Sequence, residues 1–173
     1  MIISVTDLKR QIDCGNDADD LIETKLKAIE SVIRAYTNNN FQMRGARFCG
    51  RSEGMYLYGD PRYLAIGDTV QISASAGNDG IYEVVSIGND YIQVNKMLHT
   101  DDYNLVTKVS YPADVIQCAV DLYGWRKNMG AKVGIKSETL SRHSVTYEDS
   151  ATLFMGYPIG ILNGLALYKK ARC

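Results

Sequence analysis

The sequence predicts an α+β protein. A small helical-bundle core is built from both ends of the chain, a small antiparallel β-barrel of SH3-like type is inserted between them, and an extended strand segment precedes the C-terminal helix. Three observations carry this. Ile22, Leu26, Ile29, Ile33 and Tyr36 recur at spacings of four and three, one apolar stripe on an amphipathic helix. From Arg44 to Tyr111 that period vanishes, and short runs rich in Val, Ile and Tyr are separated by Gly, Pro, Asn and Asp. From Pro112 onward the helical spacing returns. Residues 1–43 and 112–173 are thus expected to form the helical core, with 44–111 as an inserted β-unit.

Each element has its own signals. Thr6 is a plausible N-cap for a short first helix with Asp7 near its positive end, and Cys14-Gly15-Asn16 ends it. Asp17, Asp19 and Asp20 favour the start of a second helix, whose stripe leaves Lys25, Lys27 and Glu30 off the apolar face. Thr37 and Asn38-Asn39-Asn40 stop it. In the β-unit, Val70–Ser73 and Tyr91–Asn95 alternate, Ile81–Ile87 is strongly β-prone, and Val106–Val109 is a candidate last strand. The tripeptide Gly-Asn-Asp occurs at 77–79 and again at 88–90 and reads as two similar hairpin turns, made of residues that tolerate positive φ. Pro112 at N1 and Asp114 open a third helix carrying Val115, Ile116, Ala119, Leu122, Tyr123 and Arg126, which Met129-Gly130 closes. Lys132–Tyr147 reads as extended, most clearly at Ser144–Tyr147. Pro158 then starts a last helix with Ile161, Leu162, Leu165 and Tyr168, and Lys169 and Lys170 suit its final turn.

Composition narrows the function. The chain has 173 residues and a net charge of −1, so no global field draws it to nucleic acid or to an acidic membrane. The charge is uneven: Asp121–Cys173 carries eight bases against four acids. The four cysteines, at 14, 49, 118 and 173, lack metal-ligand spacing, and no apolar run reaches the length of a membrane span. Scattered thiols without a leader sequence fit a reducing cytoplasm. No cofactor and no metal is expected.

Catalytic readings fare poorly. A phosphate-cradling loop needs a helix after its glycines, whereas a β-prone run follows Gly77-Asn78-Asp79-Gly80. His143, Asp149 and Ser150 make no recognisable triad, because nothing places them together. Asp19-Asp20 and Asp101-Asp102 read as a helix start and a turn, and Asp60-Pro61 as a turn. Trp125, beside Arg126 and Lys127, reads as a cover on the edge of the helical core. The twelve tyrosines, five of them at 56, 58, 63, 82 and 91, suit a protein contact surface. No enzyme is indicated.

Three stretches in order carry a resemblance. Asp17-Ala18-Asp19-Asp20-Leu21-Ile22 leading to Tyr36-Thr37 resembles the first major helix of the tailed-phage head–tail connector family, also termed head-completion or portal-adaptor proteins. Pro112-Ala113-Asp114-Val115 through Leu122-Tyr123 is similar to its second major helix. Ser144–Tyr147, a polar gap, and Tyr157-Pro158 through Tyr168-Lys169-Lys170 resemble its closing strand, loop and basic C-terminal helix. The resemblance covers roughly 1–43 and 112–173. The segment 44–111 departs from it, since compact members join these helices by a short loop.

The resemblance implies a structural virion protein made in the bacterial host cytoplasm and placed in the neck. There a closed head-to-tail ring, commonly of twelve subunits, would sit between the portal and a stopper, tail-terminator or other neck protein and extend the DNA channel. It implies portal docking through Tyr168, Lys169, Lys170 and Arg172. It also implies inter-subunit or channel-facing roles for Lys132, Lys136, Arg142, Val145 and Tyr147, with non-specific DNA contact and no membrane. The alternative is an intracellular adaptor whose SH3-like module binds peptide or nucleic acid. A basic β-face would favour nucleic acid, but Arg44–Tyr111 carries eight acids against six bases.

Overall fold

The computed structural model describes residues 1–129, 137–140, 143–146 and 152–171, with side chains over 1–128 and 152–171. Among these residues the protein is mixed α+β, with four α-helices and a closed six-stranded antiparallel β-barrel. The chain divides into two compact units, one comprising Met1–Asn39 with Tyr111–Cys173 and the other Asn40–Ser110.

In the first unit α1 spans Val5–Gln11 and α2 Asp19–Thr37. The N-cap of α1 is Ser4, not Thr6: the Asp7 N–H donates to Ser4 Oγ at 3.0 Å, and that hydroxyl donates to the Asp7 carboxylate at 2.7 Å. Thr6 lies inside the helix, two residues too late to reach the free amides of the first turn. Along α2 the apolar stripe is buried at Ile22, Leu26, Ile29 and Ile33, joined by Val32. Glu30 corrects the expectation for this helix, because it is buried on the inner side.

Glu30 is tolerated there because it has an N–H, a hydroxyl and a guanidinium as partners. Ile2 N–H donates to Oε2 at 3.1 Å, Tyr111 Oη–H donates to Oε1 at 2.7 Å, and the Arg34 guanidinium lies 3.2 Å from Oε1. A buried carboxylate left without such partners would cost several kcal/mol.

Helix α3 spans Ala113–Met129. Pro112 precedes it rather than occupying N1, and its carbonyl accepts the N–H groups of Val115 and Ile116. Val115, Cys118, Ala119, Leu122 and Tyr123 are buried, and Tyr123 Oη–H donates to Asp17 Oδ2 at 3.0 Å, tying α3 to the start of α2.

The expected extended segment contains a hairpin of β7, Ser137–Leu140, and β8, His143–Thr146. A smaller ribbon follows, β9 at Leu153–Phe154 and β10 at Tyr157–Pro158. Met155 (φ 50°) and Gly156 (φ 81°) form its two-residue turn, the left-handed pair that matches strand twist.

The C-terminal helix differs from expectation. Its α-helical part, α4, is only Ile159–Leu162, and a 3₁₀ helix covers Asn163–Tyr168. Asn163 and Gly164 are poor helix formers, and the chain tightens there. Lys169 is extended (φ −66°, ψ 128°), so Lys169 and Lys170 lie beyond the helix and do not complement its dipole.

The second unit is the barrel. Its strands are β1 (Gln42–Glu53), β2 (Tyr56–Tyr58), β3 (Thr69–Ser73), β4 (Gly80–Ile87), β5 (Tyr91–Val94) and β6 (Asp101–Val109). They close in the order β1-β2-β5-β4-β3-β6, with β6 paired back to β1. Leu57, Val70, Ile72, Val84, Ile92, Val94, Leu98 and Val106 fill the interior. Sequence alternation did not reveal β1, the longest strand at twelve residues. Its pairing with β6 is irregular between Gln42 and Arg47 and between Gly50 and Ser52, the bends by which a long strand follows a barrel wall.

The two Gly-Asn-Asp tripeptides do mark the β3–β4 and β4–β5 connections. Neither uses positive φ; in the first connection that role falls to Ala74 (φ 57°). The turns also differ in kind. Asn89 is exposed, whereas Asn78 is 1% exposed. Asn78 Nδ2 donates to Ser52 Oγ at 3.0 Å, His99 O at 2.9 Å and Asn104 Oδ1 at 3.0 Å, and its Oδ1 accepts from His99 N–H at 2.8 Å. Asn78, Ser52 and Asn104 form a buried polar node that ties the β3–β4 loop to β1 and to the start of β6. Asp101 adds to it by accepting the Ala76 N–H at 2.6 Å, and that bond, with a second from Tyr103 N–H, holds its carboxyl below the usual range.

Candidate partner-docking site

The C-terminal residues expected to dock are fastened to the end of α2. Asn38 closes α2 in the left-handed region (φ 48°, ψ 39°), which asparagine tolerates. Its Nδ2 donates to the carbonyls of Lys170 and Ala171 at 3.3 and 3.0 Å. Asn39 Nδ2 donates to the Tyr168 carbonyl at 3.1 Å, and Lys170 N–H donates to the Thr37 carbonyl at 2.8 Å. The asparagine run therefore acts as a clamp as well as a helix stop.

Tyr168 Oη lies 2.9 and 2.7 Å from the two oxygens of Asp114, and the hydrogen bond to this carboxylate pushes the phenol's pKa up. Lys169 Nζ sits 3.8 Å from the centroid of the Tyr36 ring. That ring meets Phe154 edge-on at 5.4 Å, and its hydroxyl donates to Asn163 Oδ1 at 2.8 Å. Lys170 is exposed. Tyr168, Lys169 and Lys170 are thus brought together against α2 and the start of α3, and of the three only the Lys170 side chain has no tertiary partner among the described residues. Arg172 lies outside the described residues, as do Lys132, Lys136, Arg142 and Tyr147. Val145 is in β8, opposite Glu138.

An open groove of about 250 Å³ runs beside this segment, between α3 and the α4–3₁₀ stretch. Asp114 and Asp121 rim it, and Cys118, Ile161 and Leu165 line its floor. Asp121 accepts from Gln117 Nε2 at 2.9 Å. Burial pushes the Cys118 thiol up to about 11, so it carries little thiolate at neutral pH. Sequence reading did not identify this groove; the spacing of seven between Asp114 and Asp121, which puts both on one face of a helix, was the available signal.

The residues weighed for chemistry have other places. Trp125 is half-buried with its ring 6.1 Å from that of Tyr157, a cover on the core edge as expected. His143 is in β8, while Asp149 and Ser150 lie outside the described residues. No helix among the described residues is long and apolar enough to cross a membrane. No protein-family model and no curated protein matches this sequence.

Proposed function

We propose that this chain is a structural head–tail connector, a ring adaptor between a phage portal and the next neck or tail protein. The observation that carries the reading is the chain order. The two ends of the chain, bearing the helices that resemble the family, belong to one compact unit, and the departing segment Asn40–Ser110 is a separate closed barrel. In this reading the helices are a bundle-like connector core, and the barrel is an SH3-like decoration that contacts another neck or capsid protein. Lys170 and the neighbouring C-terminal residues anchor the chain to the portal. The ring of about twelve subunits closes by a repeated heterologous contact and lines the DNA channel without reading sequence. The location would be the virion neck.

The test is co-purification with the portal of the same particle, followed by neutralising Lys169, Lys170 and Arg172 together. Loss of portal binding in a folded variant supports the docking assignment; unchanged binding removes it. The second reading, an intracellular adaptor, is favoured by the rings of Tyr56 and Tyr58 on β2 and Tyr91 on β5, whose centroids lie 5.5 to 6.4 Å apart. It predicts ligand binding by the chain and no complex with a portal.

A further inference from the structure

We propose that the groove between α3 and the α4–3₁₀ stretch receives Leu167 of a second copy of this chain, so that two chains pair about a two-fold axis. The contact lies within the helical unit and does not rest on the connector reading.

The groove and the side chain that fills it stand next to each other. Gly164 lines the groove, and side chains three apart eclipse in a 3₁₀ helix. Leu167 therefore stands on the groove side of Asn163–Tyr168, about 6 Å further along. It is 90% exposed, the most exposed large apolar side chain among the described residues. At that exposure it does not enter its own groove. The floor is apolar: Cys118 and Leu165 are buried there, and Ile161 is half-buried. A Cβ at Gly164 would meet nothing within 4 Å, so the wall on the Leu167 side leaves room for a partner's backbone. At about 250 Å³ and open to solvent, the groove suits one aliphatic side chain better than a small-molecule ligand.

The order of residues along the groove sets the pairing. The two walls run antiparallel, since Cys118 Sγ lies 3.8 Å from the Ile161 carbonyl while Tyr168 Oη meets Asp114. From one end to the other the order is Asp121, the Cys118 floor, Asp114 and then Lys170, with Asp121 about 10 Å from Asp114 along α3. A two-fold axis reverses that order in the partner. Leu167 set over the partner's floor therefore brings Lys170 toward the partner's other rim, at Asp121, and the same contact forms a second time by symmetry.

Charge agrees with this arrangement. Lys170 is exposed with no tertiary partner among the described residues. Asp121 is exposed and accepts from Gln117, with no cation beside it among those residues, whereas Asp114 is already engaged by Tyr168. An apolar knob beside a lysine and an apolar hole beside an aspartate make one surface complementary to itself. The anchor is one leucine from each chain, so the pair is weak and depends on concentration. In the connector reading Lys170 also faces the portal, so the pair belongs to the free chain.

The test is sedimentation equilibrium of the full chain, without portal, from about 10 µM to about 1 mM. The expected mass rises from one chain toward two and no further. Leu167→Asp, at a position too exposed for the substitution to disturb the fold, should weaken pairing about tenfold or more. Ile66→Asp, at another exposed apolar position in the loop before β3, should leave it unchanged. Lys170→Glu and Asp121→Lys should each weaken the pair severalfold. An equimolar mixture of those two variants should restore it, because the mixed pair has one native contact and one with its charges exchanged. The inference is overturned by a single-chain mass at every concentration, by masses beyond two chains, by pairing indifferent to Leu167→Asp, or by a mixture that regains nothing.

Discussion

Tyr111 donates its phenolic proton to Glu30 across 81 positions of sequence, at 2.7 Å, while Arg34 Nε donates to the same phenolic oxygen at 2.9 Å. This links the first residue after the barrel segment to the middle of α2, so the return point of the chain is set by a buried polar contact. Glu30→Ala should remove about 3–5 kcal/mol of stability, because it leaves the Tyr111 hydroxyl and the Ile2 N–H without their acceptor and the Arg34 guanidinium without its counter-charge. Glu30→Gln should cost less, since it still accepts from Tyr111. Urea unfolding of both variants measures this.

The same contact predicts behaviour in alkali. Burial first, and then the Glu30 charge, hold Tyr111 well above its ordinary 10.0. Below that value the phenol is neutral in both folded and unfolded chains, and its contribution is fully present. Above it the unfolded chain loses the proton first, so stability falls as pH rises toward the folded-state pKa. Tyr111→Phe should cost about 1.5–3 kcal/mol at pH 8 through the lost charge-assisted bond, and the difference from wild type should shrink at pH 11. Paired urea titrations at the two pH values test the sign.

Asn78 and Asn89 occupy the same place in two copies of one tripeptide and should respond differently. Asn78→Ala strands His99 N–H and the Asn104 and Ser52 partners and should cost about 2–3 kcal/mol. Asn89→Ala, at an exposed position, should stay within about 0.5 kcal/mol. Thermal melts of the two variants suffice.

Thr107 gives the opposite sign. Its Oγ1 is buried with no hydrogen-bond partner among the described residues, and it stands opposite Gln71, whose Oε1 is likewise buried and unpaired among them. Thr107→Val keeps the shape and removes the stranded oxygen, so it should stabilise the protein by about 1 kcal/mol. A lower denaturation midpoint would show that the hydroxyl is satisfied in solution.

The C-terminal clamp is separable from the helix cap. Asn38→Gly keeps the left-handed backbone but loses both bonds to Lys170 and Ala171, and Asn38→Ala loses the backbone preference as well. Hydrogen exchange at the Lys170 amide, bonded to Thr37 O, should quicken in both variants, while global stability falls further in the alanine variant.

What was legible in the sequence follows from what burial does to pattern. Helix α2 and strands β3 and β5 carry their period because one face of each is buried among apolar groups. Strand β1 does not, because its buried positions Ala46 and Ser52 are small or polar and its register shifts where it bends. Glu30 and Asn78 escaped because a buried polar group is licensed by partners far away in sequence, and spacing cannot show them. The C-terminal helix was overextended because Leu162 and Leu165 keep helical spacing through a 3₁₀ stretch as well. Of the candidate site, the residues Tyr168, Lys169 and Lys170 were visible as a basic end, but their fastening to Asn38 and Asn39 was not.

The most direct measurement is size-exclusion chromatography with light scattering on the full chain, alone and mixed with the portal of the same particle. The connector account predicts a stoichiometric complex, whatever the state of the free chain. Absence of a complex at every ionic strength tried would contradict it and leave the tyrosine-faced barrel as the functional part of the molecule.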